Sequence, residues 1–161
     1  MTSLELCRKQ RAQELAKFVK VLKSVPEARP DYRPDPKSRT AAELAWLLAQ
    51  SEAALLKLIE AGEIQWSESK APAKLDAIVS AYETNATAVN ERIAKLDEGG
   101  WDKKVRFVME GAPPWEDTLG NFVWGFLFDS IHHRGQLTTY LRPMGGKVPA
   151  IYGPSADDSG Q

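Results

Sequence analysis

A single cysteine, two histidines and a net charge of only −1 define this chain by what it has little of. Cys7 has no partner for an intramolecular bridge, so a disulfide scaffold is excluded; a reducing compartment, most simply the cytoplasm, is expected. The 21 Lys and Arg side chains nearly balance the 22 Asp and Glu, so no basic footprint for nucleic acid or an anionic membrane is present, and neither is expected as a direct partner. No run approaches the ~20 apolar residues of a membrane span. The opening MTSLELCRKQRAQELAK becomes charged too early for a signal peptide. With both histidines adjacent, at 132 and 133, a site built from three imidazoles of this chain is excluded as well.

What is present suits one helical domain. The 161 residues, 43% of them apolar, are enough for a single core without staples. No repeat or composition break divides them, so residues 1–161 read as one domain with a polar tail from about residue 154. Leu4, Leu15, Phe18, Val19 and Leu22 recur at helical spacing and predict a first helix from about Ser3 to Lys23, followed by a connector rich in proline. Thr40 with Glu43 forms a capping box that starts a second helix, whose inward stripe includes Leu44, Leu47, Leu48, Ser51, Leu55 and Leu58, and Gly62 is its terminator. Pro72 suits the first turn of a third helix, with Gly99 and Gly100 at its end. Residues 101–115 carry Gly111, Pro113 and Pro114 and read as a partly extended crossover. Asp117 is placed to cap a fourth helix that continues to Pro143. The apolar start of the C-terminal segment is expected to pack on the bundle and its acidic end to fray.

The fourth helix carries the informative residues. Phe122, Phe126, Asp129, His133, Leu137 and Tyr140 advance by three or four and share one face, so two ionisable groups interrupt an apolar stripe. Unpaired burial of either costs several kcal/mol, roughly, so each needs a partner. Two readings stand: a satisfied core pair, or ligands of a metal completed from a facing helix. His132 lies about 100° away round the axis and points elsewhere. Gln136, three residues after His133, is placed to orient its second ring nitrogen. Gly135 is either a close helix approach or simply tolerated. Arg134 and Arg142 read as surface charges favouring the helix dipole rather than as substrate binders. Nothing visible acidifies Cys7.

The run DSIHHRGQLTTYLRPMGGKVPAIYGPSAD, residues 129–157, together with RTAAELAWLLAQSE, residues 39–52, resembles the DinB/YfiT-like family. The resemblance implies an all-α fold, an up-down-down-up four-helix bundle with a long crossover before the fourth helix, frequently a homodimer. It also implies a divalent metal, Zn, Ni or Mn, held by three histidines between the second and fourth helices. Laid on this sequence, those positions fall on Leu47, Asp129 and His133, with Gln136 behind the last. Leu47 cannot coordinate, so the implied site is eroded and binds metal weakly or not at all. The alternative is a metal-dependent enzyme similar to the thiol S-transferases of the family, with a small thiol as substrate and Asp129 and His133 as its metal ligands. The damage-inducible family name describes regulation and implies no DNA contact.

Overall fold

Thr2 and Thr40 open two helices by the same device. Each hydroxyl accepts from the N–H three residues on, and the glutamate there, Glu5 or Glu43, accepts from the threonine N–H. In this computed structural model, which describes residues 1–160, the helices so started are α1 (Ser3–Lys23) and α2 (Ala41–Ala61). Gly62 closes α2 in the left-handed region, at φ 77°, with its N–H donating to the Leu58 carbonyl. Three further helices follow, α3 (Leu75–Ala94), α4 (Glu98–Trp101) and α5 (Leu119–Leu141). No helix among the described residues is long and apolar enough to cross a membrane.

Three helix boundaries differ from the sequence expectation. Helix α3 starts at Leu75, so Pro72 lies outside it, and it stops at Ala94 because Asp97 caps the short α4 by accepting from the Gly100 N–H. Gly99 and Gly100 therefore sit inside α4 instead of ending α3. The cap of α5 is Thr118, whose hydroxyl accepts from the Asn121 N–H. Asp117 supports that cap from outside. Bonds from the Asn121 side chain and the Thr118 N–H hold its carboxyl below the usual range.

An all-α fold is also corrected. The chain is mostly helical but adds a three-stranded sheet of β1 (Glu63–Trp66), β2 (Lys104–Met109) and β3 (Trp115–Thr118), in the order β1-β2-β3. β1 pairs parallel to β2, with Ile64 opposite Phe107, and β2 pairs antiparallel to β3. Strand alternation turns Ile64 and Val105 inward, and both are buried.

Helices α1 and α2 each pack against α3 and α5. One apolar cluster gathers Phe18, Leu44, Leu48, Ile78, Tyr82 and Leu141, and a second gathers Leu4, Leu55, Val89, Trp101 and Val123. Charged residues of α1 lie buried between them. Arg11 donates to Glu52 at 2.5 Å and to Asn90 at 2.9 Å, tying α1 to α2 and α3. Glu14 accepts from Arg134 at 2.6 Å, from the Tyr152 hydroxyl at 2.9 Å and from Lys17 at 2.7 Å, tying α1 to α5 and the C-terminal segment. Arg134, expected on the surface, is thus 2% exposed, with its guanidinium 4.3 Å above the Phe18 ring. Burial alone pushes the Glu14 carboxyl up, but the bonds from Lys17, Arg134 and Tyr152 outweigh it and leave its pKa lowered. Arg142 stays exposed and pairs with Asp157.

Gly135 is the tolerated case, since a Cβ there meets nothing within 4 Å. The close approach is at Gly120, where a Cβ falls 2.5 Å from the Trp101 indole. The end of the chain is pinned where fraying was expected. Asp158 accepts from Lys20 and the Ala150 N–H, and Asp157 from Arg142 and the Val148 N–H. Short side chains with several N–H partners order this stretch without an apolar core of its own.

Glu14→Ala leaves Arg134 buried without its anion and is expected to cost about 3–5 kcal/mol in urea unfolding. Because the folded pKa of Glu14 is lowered, its stabilisation is present above the unfolded value near 4.3 and is lost as pH falls through the folded one. Glu14→Gln should flatten the stability–pH curve below about pH 4. Gly120→Ala should cost about 1–3 kcal/mol through its clash with Trp101.

Candidate functional site

Helices α2 and α5 and the sheet enclose a pocket of about 370 Å³. Its α2 wall is Leu47 and Ser51, and its α5 wall is Phe122, Gly125, Phe126, Asp129 and His133. The sheet supplies Trp66, Phe107, Met109 and Trp115, and Arg39, just before the Thr40 cap, stands at the edge. The aromatic side is built around Phe107, whose ring centroid lies 6.2 Å from Trp66, 6.1 Å from Phe122 and 6.0 Å from Phe126. Trp115 sits 4.8 Å from Phe122 yet is 57% exposed, so it forms an outer lip.

The polar end is a chain of three side chains on α5. His133 Nδ1 is 2.8 Å from Gln136 Oε1, and Nε2 is 3.4 Å from Asp129 Oδ2. With Gln136 accepting, Nδ1 carries hydrogen, and in the neutral ring the Nε2 lone pair is left to accept a proton; this tautomer is assigned from the hydrogen bond. The Gln136 contact anticipated from spacing is therefore formed. The deep burial anticipated for the pair is not, since the Asp129 side chain is 59% exposed and that of His133 21%. The reason is rotational. Phe122, Leu137 and Tyr140 of the expected stripe are buried, but between them the core face of α5 is Val123, Leu127, Ser130 and Arg134, one residue round from Phe126, Asp129 and His133. An exposed pair of this kind contributes about 0–1 kcal/mol, too little to be a structural anchor. His132 is exposed.

Leu47, Asp129 and His133 converge on one pocket, as the resemblance implies for the three ligand positions. The donor set nevertheless does not fit a three-ligand ion. Leu47 has no lone pair, Glu52 turns into the core toward Arg11, and no group of three or more His, Cys, Asp or Glu among the described residues is arranged to hold a metal. Cys7 lies elsewhere, fully buried; burial pushes its thiol up to about 11, against a smaller opposing pull from Arg11.

The aromatic wall and Arg39 were not singled out by sequence reasoning. A signal existed in KVRFVM, where alternation puts Val105 and Phe107 on one face. Nothing local linked that face to Trp66, because the β1–β2 pairing spans the whole of α3.

A model of the DinB family matches residues 3–161. The chain is similar to a DinB-like protein from Bacillus cereus, at 22% identity and a TM-score of 0.73, covering 92% of this chain and 97% of that one. A DinB-like protein from Bacillus subtilis gives 17% and 0.68, covering 88% and 94%. A mycothiol-dependent maleylpyruvate isomerase gives 13% and 0.60, covering 91% of this chain and 62% of that longer one. At such identities the structural likeness is one of fold. A search of curated proteins finds no match.

If Phe107 is the hub of the wall, Phe107→Ala should cost about 2–4 kcal/mol in thermal or urea unfolding, whereas Trp115→Ala at the exposed lip should cost under about 1 kcal/mol.

Proposed function

The chain belongs to the DinB family, and we propose that it is a member whose metal position has become apolar, so that its pocket receives a small organic molecule without a divalent ion. The observation that carries this is Leu47, which lines the same pocket as Asp129 and His133 and has no atom to offer a cation. Two remaining donors, completed by water, bind Zn²⁺, Ni²⁺ or Mn²⁺ weakly or not at all. In their place the pocket offers aromatic surface, and His133 is a proton acceptor or donor held in orientation by Gln136. The four long helices run up-down-down-up in this reading, with the sheet inside the crossover between α3 and α5. The protein works in the cytoplasm. A second copy covers the groove between α1 and α5 where Phe128, 62% exposed, and Tyr152 stand out.

A second reading is favoured by the fact that both donors face one cavity. In it Asp129 and His133 hold a weak metal and the protein resembles thiol-dependent transferases, in line with the fold it shares with a mycothiol-dependent isomerase.

Thermal unfolding of chelator-stripped protein separates the two. Metal at 100 times its dissociation constant adds ~2.7 kcal/mol, several degrees for a domain of this size. Wild type is expected to show no shift with Zn²⁺, Ni²⁺ or Mn²⁺, and Leu47→His to gain one that His133→Ala removes. A wild-type shift abolished by Asp129→Ala or His133→Ala would overturn the metal-free reading in favour of the second.

A further inference from the structure

The aromatic pocket does not stand alone. A second cavity, of about 500 Å³, lies between the proline-rich connector, the start of α2 and the segment after β1, and it shares Arg39 and Leu47 with the first. Its chemistry is different. The outer cavity carries Arg33, Lys37, Arg39 and Lys70, and of its acidic side chains two are engaged. Glu43 accepts from the Thr40 N–H at 2.7 Å as part of the helix cap, and Glu68 takes Arg39 Nη2 at 2.6 Å. Arg33, Lys37 and Lys70 form no ion pair among the described residues. Arg39 therefore marks the step from an aromatic chamber to a cationic one. Its guanidinium spends one nitrogen on Glu68, leaving the N–H groups of Nε and Nη1 for a second acceptor. The Tyr140 hydroxyl, donating to the Arg39 carbonyl at 3.3 Å, ties this residue to α5.

Resting on the metal-free reading above, we propose that this site binds aromatic carboxylates, with the ring in the chamber walled by Trp66, Phe107 and Phe122, the carboxylate on Arg39, and any polar extension in the outer cavity. The chamber volume lies in the range of pockets that take small organic ligands. Flat rings suit it because Trp66, Phe107, Trp115, Phe122 and Phe126 give it a largely aromatic lining. An anion is favoured over a cation by the balance of charge. The one carboxylate in the chamber, Asp129, lies beside His133, which offsets its charge when the ring takes up a proton, whereas Arg33, Lys37, Arg39 and Lys70 outnumber Asp31, Glu43 and Glu68 in the outer cavity. The carboxylate is placed by charge-assisted bonds from a planar guanidinium, the geometry in which arginine is most selective.

The test uses the full chain, stripped of metal, and follows quenching of tryptophan fluorescence during titration with 2-naphthoate, 2-naphthamide, (2-naphthylmethyl)trimethylammonium and octanoate. 2-Naphthoate is expected to bind about tenfold or more tightly than the neutral amide, the scale of a charge-assisted hydrogen bond, and more tightly than the cation or octanoate. Arg39→Gln should erase the preference for the acid and leave the amide unchanged; Arg39→Lys should keep part of it. Trp115→Ala should weaken acid and amide together. Equal binding of acid and amide, tighter binding of the cation, octanoate matching naphthoate, or no binding of the acid up to millimolar concentration would each overturn the proposal. Repeating the titration with Zn²⁺ separates the two levels. Binding that appears only with metal sinks the metal-free reading, while absence of binding in both conditions sinks the aromatic-acid assignment alone.

Discussion

The arrangement of the helices depends on two buried ion pairs that radiate from one turn of α1. Arg11 reaches Glu52 on α2 and Asn90 on α3, and Glu14 reaches Arg134 on α5 and Tyr152 beyond it. Desolvating four charges costs several kcal/mol per ion, roughly, and pairing does little more than offset it. What the layer supplies is discrimination. Sliding α1 by one turn, about 5.4 Å, would strand every member of the layer in an apolar core, whereas the leucine stripes on either side would find new leucines to touch. Apolar contact tolerates such slips, and buried charge does not.

The same constraint locates the pocket. With Arg134 committed inward to Glu14, the rotation of α5 is set, and residues about 100° away round the axis must lie to one side of the core. Asp129 and His133 are carried there, toward Leu47 and the sheet. The sheet then encloses what the helices leave open. Its inward side chains Ile64 and Val105 are fixed by packing on the bundle, so Trp66 and Phe107 follow by the alternation of their strands. Trp101, seated where Gly120 has no Cβ, holds α4 against the beginning of α5 just before β2 starts. The site is therefore a consequence of two distant packing choices, one polar and one steric.

Much of this could be read from the sequence, and the failures share a cause. Helix starts at Thr40 and stops at Gly62 are local chemistry, written within four residues, and they were legible. The convergence of Leu47, Asp129 and His133 was legible through the motif around HHRGQL. The ends of the core face of α5, Phe122, Leu137 and Tyr140, were legible, and its middle was not, because Arg134 reads in sequence as a surface charge but is buried. The clue lay in α1, where Arg11 and Glu14 fall between Cys7 and Phe18 at the spacing of the inward stripe. Charges in an inward stripe imply charges on the helices that face it. The extended character of residues 101–115 was legible, but the sheet was not, because β1 and β3 have four residues each, too short for periodicity to register, and β1 pairs with residues some forty positions on, Glu63 opposite Arg106.

In the metal-free reading, the leucine at position 47, and not the Asp129–His133 contact, is what sets this pocket apart from a metal centre. That contact joins two partly exposed side chains at 3.4 Å and is worth about 0–1 kcal/mol, so an arriving cation could break it at little cost. Glu52 of α2, by contrast, does not stand in for a third ligand, since it is held by Arg11 in the polar layer and freeing it would strand a buried guanidinium at a cost of about 3–5 kcal/mol. The interaction that orders the bundle thus also keeps the Glu52 carboxylate out of the pocket. Leu47, 8% exposed, instead extends the apolar wall, and the surface left for a ligand is largely aromatic, with its charge carried by Asp129 on α5 and Arg39 before α2.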